Sequence, residues 1–315
     1  MMPGALLKVT DLGRVFKMPS GASLAAVDDV SFEIGPGETL GIVGESGCGK
    51  STLARMILKL LPATCGRIEL DGRDITPLPE REMRPFRRAI QAVFQDPMSS
   101  LNPRMRVGAI IAEPLHAIGM RRDPRRARVQ EMLAVVGLPA NAAERYPHAF
   151  SGGQRQRIAI ARALAASPRI VICDEATSAL DVSVQAQVLN LLGDLRHEFG
   201  LSLMFISHNL GAVRHISDRV GVMYLGRIVE IGSEHDIFER PAHPYTQALL
   251  AAVPEPVPDQ EVAVPLTGEI PSPLERPSGC HFHTRCPRAE PRCRTEDPAF
   301  AARRPGHDAR CHFPS

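Results

Sequence analysis

A glycine-rich octapeptide at residues 44–51 constrains the fold of this 315-residue chain more than any other feature. It reads Gly-Glu-Ser-Gly-Cys-Gly-Lys-Ser and matches the pattern G-x-x-x-x-G-K-[ST] at every fixed position. An apolar run at 39–43 precedes it, and a helical pattern extends from about Lys50 to Leu60. A strand, a glycine loop and a helix in this order form the phosphate-binding unit of α/β nucleotide hydrolases. The sequence therefore predicts an α/β phosphate-loop NTPase core.

Each residue type in this predicted phosphate loop suits an anionic ligand. Glycines let the backbone curl so that N–H groups point inward, and the following helix adds about half a positive charge at its N-terminus. We expect Lys50 to reach the β- and γ-phosphates and the Ser51 hydroxyl to bind Mg²⁺. Cys48 stands at a variable position, and we interpret it as filler and not as a nucleophile. The predicted ATP-binding residues of this segment are Gly44, Glu45, Ser46, Gly47, Cys48, Gly49, Lys50, Ser51 and Thr52.

Two further apolar runs, 169–173 and 201–206, predict strands that are buried on both faces. Because helical segments separate the runs, we expect a mainly parallel sheet with helices on both sides. The opening, about 5–35, alternates apolar and polar residues and predicts a small antiparallel β subdomain. Residues 97–165 are rich in alanine, arginine and leucine at helical spacing and predict a helical insertion. A Gly-Arg pair within 220–231 predicts a hairpin.

The distribution of proline divides the chain near residue 240. Half of the 28 prolines lie at or beyond Pro241. Each proline removes a hydrogen-bond donor and restricts the residue before it, so long helices are excluded there. We therefore predict an ATPase domain over 1–240 and an irregular extension, rich in cysteine and proline, over 241–315.

Charge and hydropathy argue against several classes of protein. The formal net charge is +2, from 37 basic and 35 acidic side chains, and nucleic-acid binders usually carry a marked basic excess. No apolar run reaches the roughly 18 residues that a membrane-spanning helix needs, and the N-terminus lacks the features of a signal peptide. We expect a cytosolic protein that does not bind nucleic acid and that could work at a membrane only by docking onto other subunits.

Polar residues follow two of the predicted strands. Asp174 is placed to hold Mg²⁺ directly or through water, and Glu175 to orient and deprotonate an attacking water. The alternative is that both acids face solvent and cap the next helix. His208 follows another strand and could donate a hydrogen bond to a γ-phosphate, although a lone histidine is often only structural. Ligands of such sheets bind at the carboxyl ends of the strands, which favours the functional interpretation.

The segment 150–157, Phe-Ser-Gly-Gly-Gln-Arg-Gln-Arg, closely resembles the signature motif of ABC ATPases. A serine followed by glycines can start a helix whose N–H groups meet an anion. By this resemblance, Ser151, Gly152, Gly153 and Gln154 contact the γ-phosphate of an ATP molecule bound by the opposite subunit. The resemblance therefore implies that ATP lies between two chains and that hydrolysis needs a dimer.

Other landmarks of that family follow in order. Gln95, in Val-Phe-Gln-Asp, resembles the Q-loop glutamine, which contacts Mg²⁺ or water and links the core to the helical insertion. Asp181, in Ser-Ala-Leu-Asp, resembles the D-loop residue that crosses the dimer interface. Phe16 lies where the family places an aromatic ring on adenine, although a core phenylalanine is the simple alternative. The implied catalytic residues are Glu175, His208, Lys50 and Gln95, and the implied Mg²⁺ ligands are Ser51, Gln95 and Asp174.

The motifs at 44–51, 94–103 and 146–152 resemble those of the oligopeptide/dipeptide and nickel importers within this family. An intact Gln154 resembles the second of the two paired ATPases of that subfamily. The resemblance implies that a second, homologous ATPase is the partner of this chain in a heterodimer.

That resemblance also implies two membrane permease subunits, an extracytoplasmic substrate-binding protein and a peripheral position at the cytoplasmic face of the inner membrane. Nickel or glutathione importers remain alternatives for the cargo. A soluble ABC ATPase acting on DNA or ribosomes usually carries a coiled-coil insertion or a second cassette, and neither is visible here. A scaffold that binds nucleotide without hydrolysis remains a further alternative.

Four cysteines lie close together near the end of the sequence: Cys280, Cys286, Cys293 and Cys311. Their spacings lack the C-x₂-C knuckles of zinc ribbons, and four thiolates are the usual complement of an iron–sulfur cluster. The subfamily's extension resembles this segment, which implies a [4Fe–4S] cluster. Zn²⁺, with His283 and His312 as spare ligands, and reduced thiols without a metal remain alternatives.

Overall fold

Two β-sheets organise the fold in the computed structural model, which describes residues 4–19, 21–96, 100–252, 271–272 and 274–314. The strands are β1 (Leu7–Lys17), β2 (Ser23–Ile34), β3 (Thr39–Val43), β4 (Cys65–Leu70), β5 (Arg73–Asp74), β6 (Ile90–Val93), β7 (Ile170–Asp174), β8 (Ser202–Ile206), β9 (Arg219–Tyr224), β10 (Arg227–Ser233), β11 (Phe300–Arg304) and β12 (His307–Arg310). The first sheet has the order β2-β1-β4-β5, and the second has the order β11-β12-β10-β9-β3-β8-β7-β6.

Ten α-helices surround these sheets in the described part of the chain. They are α1 (Lys50–Ile57), α2 (Glu80–Ala89), α3 (Val107–Ala117), α4 (Arg122–Val135), α5 (Gly152–Ala165), α6 (Val182–Phe199), α7 (Leu210–Ile216), α8 (Glu234–Glu239), α9 (Pro244–Ala251) and α10 (Pro291–Thr295). None of them combines the length and the apolar character that crossing a bilayer would need.

The parallel part of the large sheet confirms the predicted core strands. β3 pairs in parallel with β8 and β9, and β7 pairs in parallel with β6 and β8. Every residue of β3, β7 and β8 is buried, as expected for strands covered on both faces. Strand order places the end of β3, which leads into the phosphate loop, beside the end of β8 and one strand from the end of β7.

The predicted antiparallel subdomain is the four-stranded sheet. β1 pairs antiparallel with both β2 and β4. The apolar face of α1, formed by Leu53, Met56 and Ile57, is fully buried in a core that includes residues of β1, β2 and β3. This packing holds the first helix after the phosphate loop against both sheets.

The predicted helical insertion contains α3, α4 and α5, with 3₁₀ turns at Ala140–Glu144 and Pro147–Ala149. Ile110, Met132 and Ile158, one from each helix, are completely buried in a shared core. The predicted start of the insertion, residues 97–99, lies outside the described residues.

β9 and β10 form the predicted hairpin, with Leu225 and Gly226 both at positive φ in its turn.

The extension after residue 240 contains more regular structure than its prolines suggest. β12 then pairs antiparallel with β10 and with β11. The last two strands therefore extend the large sheet at one edge, whereas the proline content had predicted an irregular segment. The helices α9 and α10 are short, and turns connect the remaining described residues.

Candidate nucleotide site

The phosphate loop is held so closely that only glycine fits at two positions. Gly44 has φ +151° and Gly49 has φ +109°. A Cβ atom at Gly44 would lie 2.1 Å from the carbonyl oxygen of Met223, and a Cβ atom at Gly49 would lie 2.2 Å from that of Ala26. The loop therefore packs against the backbone of β9 and β2, and its curled shape depends on the missing side chains.

Lys50 lies inside this curl. Its side chain is buried, and its ammonium group donates hydrogen bonds to the carbonyl oxygens of Gly44 at 2.7 Å and Glu45 at 2.9 Å. A positive charge is therefore held at the loop, where the N-terminus of α1 adds further positive potential.

A hydrogen bond joins the phosphate loop to the end of β7. The Ser51 hydroxyl donates to Oδ1 of Asp174 at 2.9 Å. Burial raises the pKa of Asp174, while the hydrogen bond from Ser51 opposes the rise. A hydroxyl beside a buried carboxylate is a suitable pair of oxygen ligands for Mg²⁺. The structure thus brings together two of the three residues predicted to bind the ion.

Glu175 and His208 meet at the adjacent strand ends. Glu175 has φ +50°, and its backbone N–H donates to the carbonyl oxygen of Ile206 at 2.9 Å. Its carboxylate lies 3.6 Å from Nδ1 of His208, whose ring is exposed. The two side chains predicted to act on water and on the γ-phosphate therefore lie side by side at the carboxyl edge of the sheet.

The signature segment forms the predicted helix start. Ser151 is the N-cap of α5, and its hydroxyl accepts a hydrogen bond from the Gln154 N–H at 3.3 Å while the Gln154 side chain accepts from the Ser151 N–H at 3.0 Å. This reciprocal capping fixes the first turn. A Cβ atom at Gly152 would lie 3.5 Å from Leu180, so the turn packs beside the segment that contains Asp181. Ser151 and Gln154 are exposed.

The remaining predicted residues lie on the surface or near it. Gln95 follows β6 and is exposed; Asp181 is an exposed N-cap of α6, and its side chain makes no capping hydrogen bond. Phe16, on β1, is half-buried with the guanidinium of Arg14 4.6 Å from its ring centroid. It pairs with Leu24 on β2, two residues from the Ala26 carbonyl beside the loop. The roles of these three residues remain predictions.

The residues with which the extension attaches to the phosphate loop belong to no motif in the sequence. Arg285 donates to both carboxylate oxygens of Glu45, and the Glu45 backbone N–H donates to the Tyr245 hydroxyl. The signal in the sequence was a charged side chain at a variable position of the motif. Its partner lies 240 residues away along the chain, so no local pattern could reveal the pair.

The four cysteines of the extension line one cavity of about 10 Å³, together with His283 and His312. That volume admits about one water molecule. Burial raises the pKa of Cys280 to about 11 and raises those of Cys286 and Cys311 above their usual value. Four thiols facing one cavity match a four-thiolate site in the type of donor. Within the described residues, however, no three His, Cys, Asp or Glu side chains are arranged to hold a metal ion, so the predicted [4Fe–4S] cluster has no support from ligand geometry.

Comparison with known proteins decides the family. The ABC transporter family matches residues 27–178, and the oligopeptide/dipeptide transporter C-terminal region matches residues 229–293. The oligopeptide transport ATP-binding protein AppF of Bacillus subtilis is 50% identical over 319 residues, covering 98% of this chain and 97% of AppF. The chain belongs to the ATP-binding proteins of ABC transporters. The oligopeptide transport ATP-binding protein OppF of Escherichia coli is 52% identical over 308 residues, covering 94% of this chain and 92% of OppF.

Solved structures agree with this assignment. The dimeric ATP-binding cassette MJ0796, in a post-hydrolysis state bound to ADP and Pi, is similar with a TM-score of 0.66 and 31% identity, covering 72% of this chain and 98% of the cassette. The cbiO1 protein of Clostridium perfringens, part of the transporter complex cbiONQ, has a TM-score of 0.66 and 29% identity, covering 75% of this chain and 91% of that protein. The α/β phosphate-loop fold is confirmed, and this ABC protein is an ATPase.

Proposed function

We propose that this ABC ATPase energises the import of peptides across the cytoplasmic membrane. Support for peptide cargo comes from relatives that are named as oligopeptide transport ATP-binding proteins. Support for hydrolysis at this site comes chiefly from the 2.9 Å contact between Ser51 and Asp174, which unites the phosphate loop with the acidic strand end. We assign the ATPase domain to 1–240 and the transporter-type extension to 241–315.

In the proposed mechanism, the side chains around the loop position and neutralise the triphosphate. Lys50 exchanges its carbonyl partners for the β- and γ-phosphates. Ser51, Asp174 and Gln95 would hold Mg²⁺, which neutralises phosphate charge when bound. Glu175 orients the attacking water and accepts its proton, and His208 donates a hydrogen bond to the γ-phosphate. Such a reaction depends mainly on positioning and charge stabilisation.

The proposed site is completed across a dimer interface. The exposed turn that begins at Ser151 and includes Gly152, Gly153 and Gln154 contacts the γ-phosphate held by the opposite chain, with Asp181 at the same interface. Support comes from the exposure of Ser151 and from the dimeric form of the similar MJ0796 cassette. The partner in this proposal is a homologous ATPase, and this chain is the second member of the pair.

We place the pair at the cytoplasmic face of the inner membrane as peripheral subunits. Two membrane permease subunits dock against the helical insertion, to which Gln95 transmits the state of the nucleotide. An extracytoplasmic substrate-binding protein delivers the peptide. Phosphate release removes contacts between the two chains and so reopens them.

The extension is proposed to hold a [4Fe–4S] cluster through its four cysteines, with Zn²⁺ as the alternative. Support is limited to the shared cavity and the thiol donors. A bound cluster would supply order to a proline-rich segment. Anaerobic purification followed by iron and acid-labile sulfide analysis is expected to give about four of each per chain. Stoichiometric zinc, or neither metal nor sulfide, would reject the cluster.

Reconstitution tests the complete proposal. The two ATPases, the permease subunits and the binding protein are placed in liposomes, and ATP-dependent uptake of a labelled oligopeptide is measured. We expect Glu175→Gln to bind ATP, to remain in a closed dimer and to release little phosphate, because the amide cannot accept the proton of water. Glu198→Gln, on the exposed face of α6, is the matched control and retains turnover.

The outcomes separate the parts of the proposal. Near-normal phosphate release from Glu175→Gln would reject Glu175 as the base. Uptake of nickel or glutathione in place of peptides would leave the ATPase assignment unchanged and would reject peptides as the cargo. ATP hydrolysis without uptake of peptide, nickel or glutathione would reject the proposal that the complex is an importer for these cargoes.

A further inference from the structure

A paired charge connects the C-terminal extension to the phosphate loop. The guanidinium of Arg285 donates to the two carboxylate oxygens of Glu45 at 2.7 and 3.0 Å. The Arg285 side chain is 4% exposed and that of Glu45 is 21% exposed. A planar, two-point contact of this kind is strong and directional.

The extension also holds the backbone of the same loop residue. The N–H of Glu45 donates to the hydroxyl of the buried Tyr245 at 3.0 Å, while the Glu45 carbonyl accepts from Lys50 at 2.9 Å. The Tyr245 hydroxyl is therefore the hydrogen-bond acceptor of the Glu45 N–H. This contact holds the backbone of the phosphate loop in place beside Lys50.

Aromatic packing leaves Arg285 little freedom to move. Phe282, almost fully buried, lies 5.4 Å from the rings of both Tyr224 and Tyr245 in edge-to-face arrangements. The Arg285 guanidinium lies 5.9 Å from the centroid of Tyr224. Edge-to-face aromatic pairs and a cation over a ring both favour a single arrangement. The position of Arg285 is thus set by a cluster that joins β9, α9 and the turn after Cys280.

Glu45 needs this partner because it lies in a loop that binds a polyanion. An unpaired carboxylate there would repel the phosphates of ATP at short range. The repulsion would be strong because water and salt screen charges only weakly in partly buried surroundings. Pairing with Arg285 cancels that charge. We propose that Arg285 is a positioning residue for ATP, which neutralises and orients Glu45 so that the extension sets the nucleotide affinity of its own phosphate loop. This inference depends on the ATPase activity of the chain and not on its cargo.

A double-mutant cycle tests the proposal in the reconstituted full-length complex. KM and kcat for MgATP hydrolysis are measured for wild type, Arg285→Met, Glu45→Gln and the double variant. We expect Arg285→Met to raise KM about tenfold, equal to about 1.4 kcal/mol, and to affect KM more than kcat. In the Glu45→Gln background the same change should alter KM less than about twofold, because no carboxylate remains to be neutralised.

Two further variants keep the test decisive. Arg292→Met removes an exposed arginine of the same extension, which pairs with Glu296 at 2.7 Å, and should leave KM unchanged. If Arg285→Met does not fold, Arg285→Lys takes its place, since lysine keeps the charge but loses the two-point contact. It should raise KM about threefold, and only when Glu45 is present. An equal effect in both Glu45 backgrounds, or an unchanged KM, would overturn the proposal and leave Arg285 as a structural residue.

Discussion

The carboxylate of Glu230 offers a test of how the extension is held to the main sheet. Glu230 on β10 and His307 on β12 are both completely buried. The carboxylate accepts hydrogen bonds from the backbone N–H groups of Ala242 at 2.6 Å and His243 at 3.0 Å, and Nε2 of His307 lies 2.7 Å from Oε1. One side chain therefore joins β10, the segment before α9 and β12.

Glu230→Ala would leave these three groups buried without their acceptor. Each stranded donor costs about 1–3 kcal/mol. Because the three contacts share one carboxylate, their costs do not add fully. We expect a loss of about 3–5 kcal/mol for alanine, and of about 1–3 kcal/mol for Glu230→Gln, which keeps one oxygen acceptor.

Amide hydrogen exchange measures this loss where it should occur. Amides of β12 and of the first turn of α9 are expected to exchange roughly a hundred- to several-thousand-fold faster in Glu230→Ala, while amides of α1 change little. Glu239→Ala, which removes an exposed partner of Arg214, serves as the control and should cost less than about 1 kcal/mol. An acceleration below about tenfold in β12 would refute the assignment of Glu230 as the main attachment.

Three shorter predictions concern the site and its support. Gly49→Ala should weaken ATP binding more than about a hundredfold in an equilibrium titration, since a Cβ atom would lie 2.2 Å from the Ala26 carbonyl at φ +109°; binding within tenfold of wild type would contradict the loop geometry. Asp174→Asn should raise the melting temperature at pH 7.5 without nucleotide or magnesium, while it lowers hydrolysis. Burial raises the pKa of Asp174, so its ionised form opposes folding and the advantage of Asn narrows as the pH falls through that pKa; a lower melting temperature at pH 7.5 would contradict this. Phe282→Ala should destabilise the extension by about 3–5 kcal/mol in urea unfolding because a fully packed ring is lost, and a loss below about 1 kcal/mol would show that the aromatic cluster is not needed.

The chemistry of the nucleotide site could largely be predicted because its groups are carried by short motifs. Gly44 and Gly49 predict a tight loop, and Lys50 and Ser51 directly follow Gly49. An apolar run that predicts a buried strand precedes each of the polar residues Asp174 and His208. These local patterns place Asp174 and His208 at the carboxyl edge of a parallel sheet even before their distances are known. The hydrogen bond between Ser51 and Asp174 confirms that two of these patterns converge.

Local sequence patterns specify the phosphate loop, the core strands and the capped start of the signature helix, because each depends on residues within about one turn or one strand of one another. The pairing of β12 with the main sheet and the contact of Arg285 with Glu45 depend instead on the folded arrangement of distant segments. Those contacts join segments that are far apart along the chain, and the proline content of the extension gave no periodicity from which to predict them. Their partners are selected by burial and charge complementarity, which exist only once the sheet and the aromatic cluster have formed.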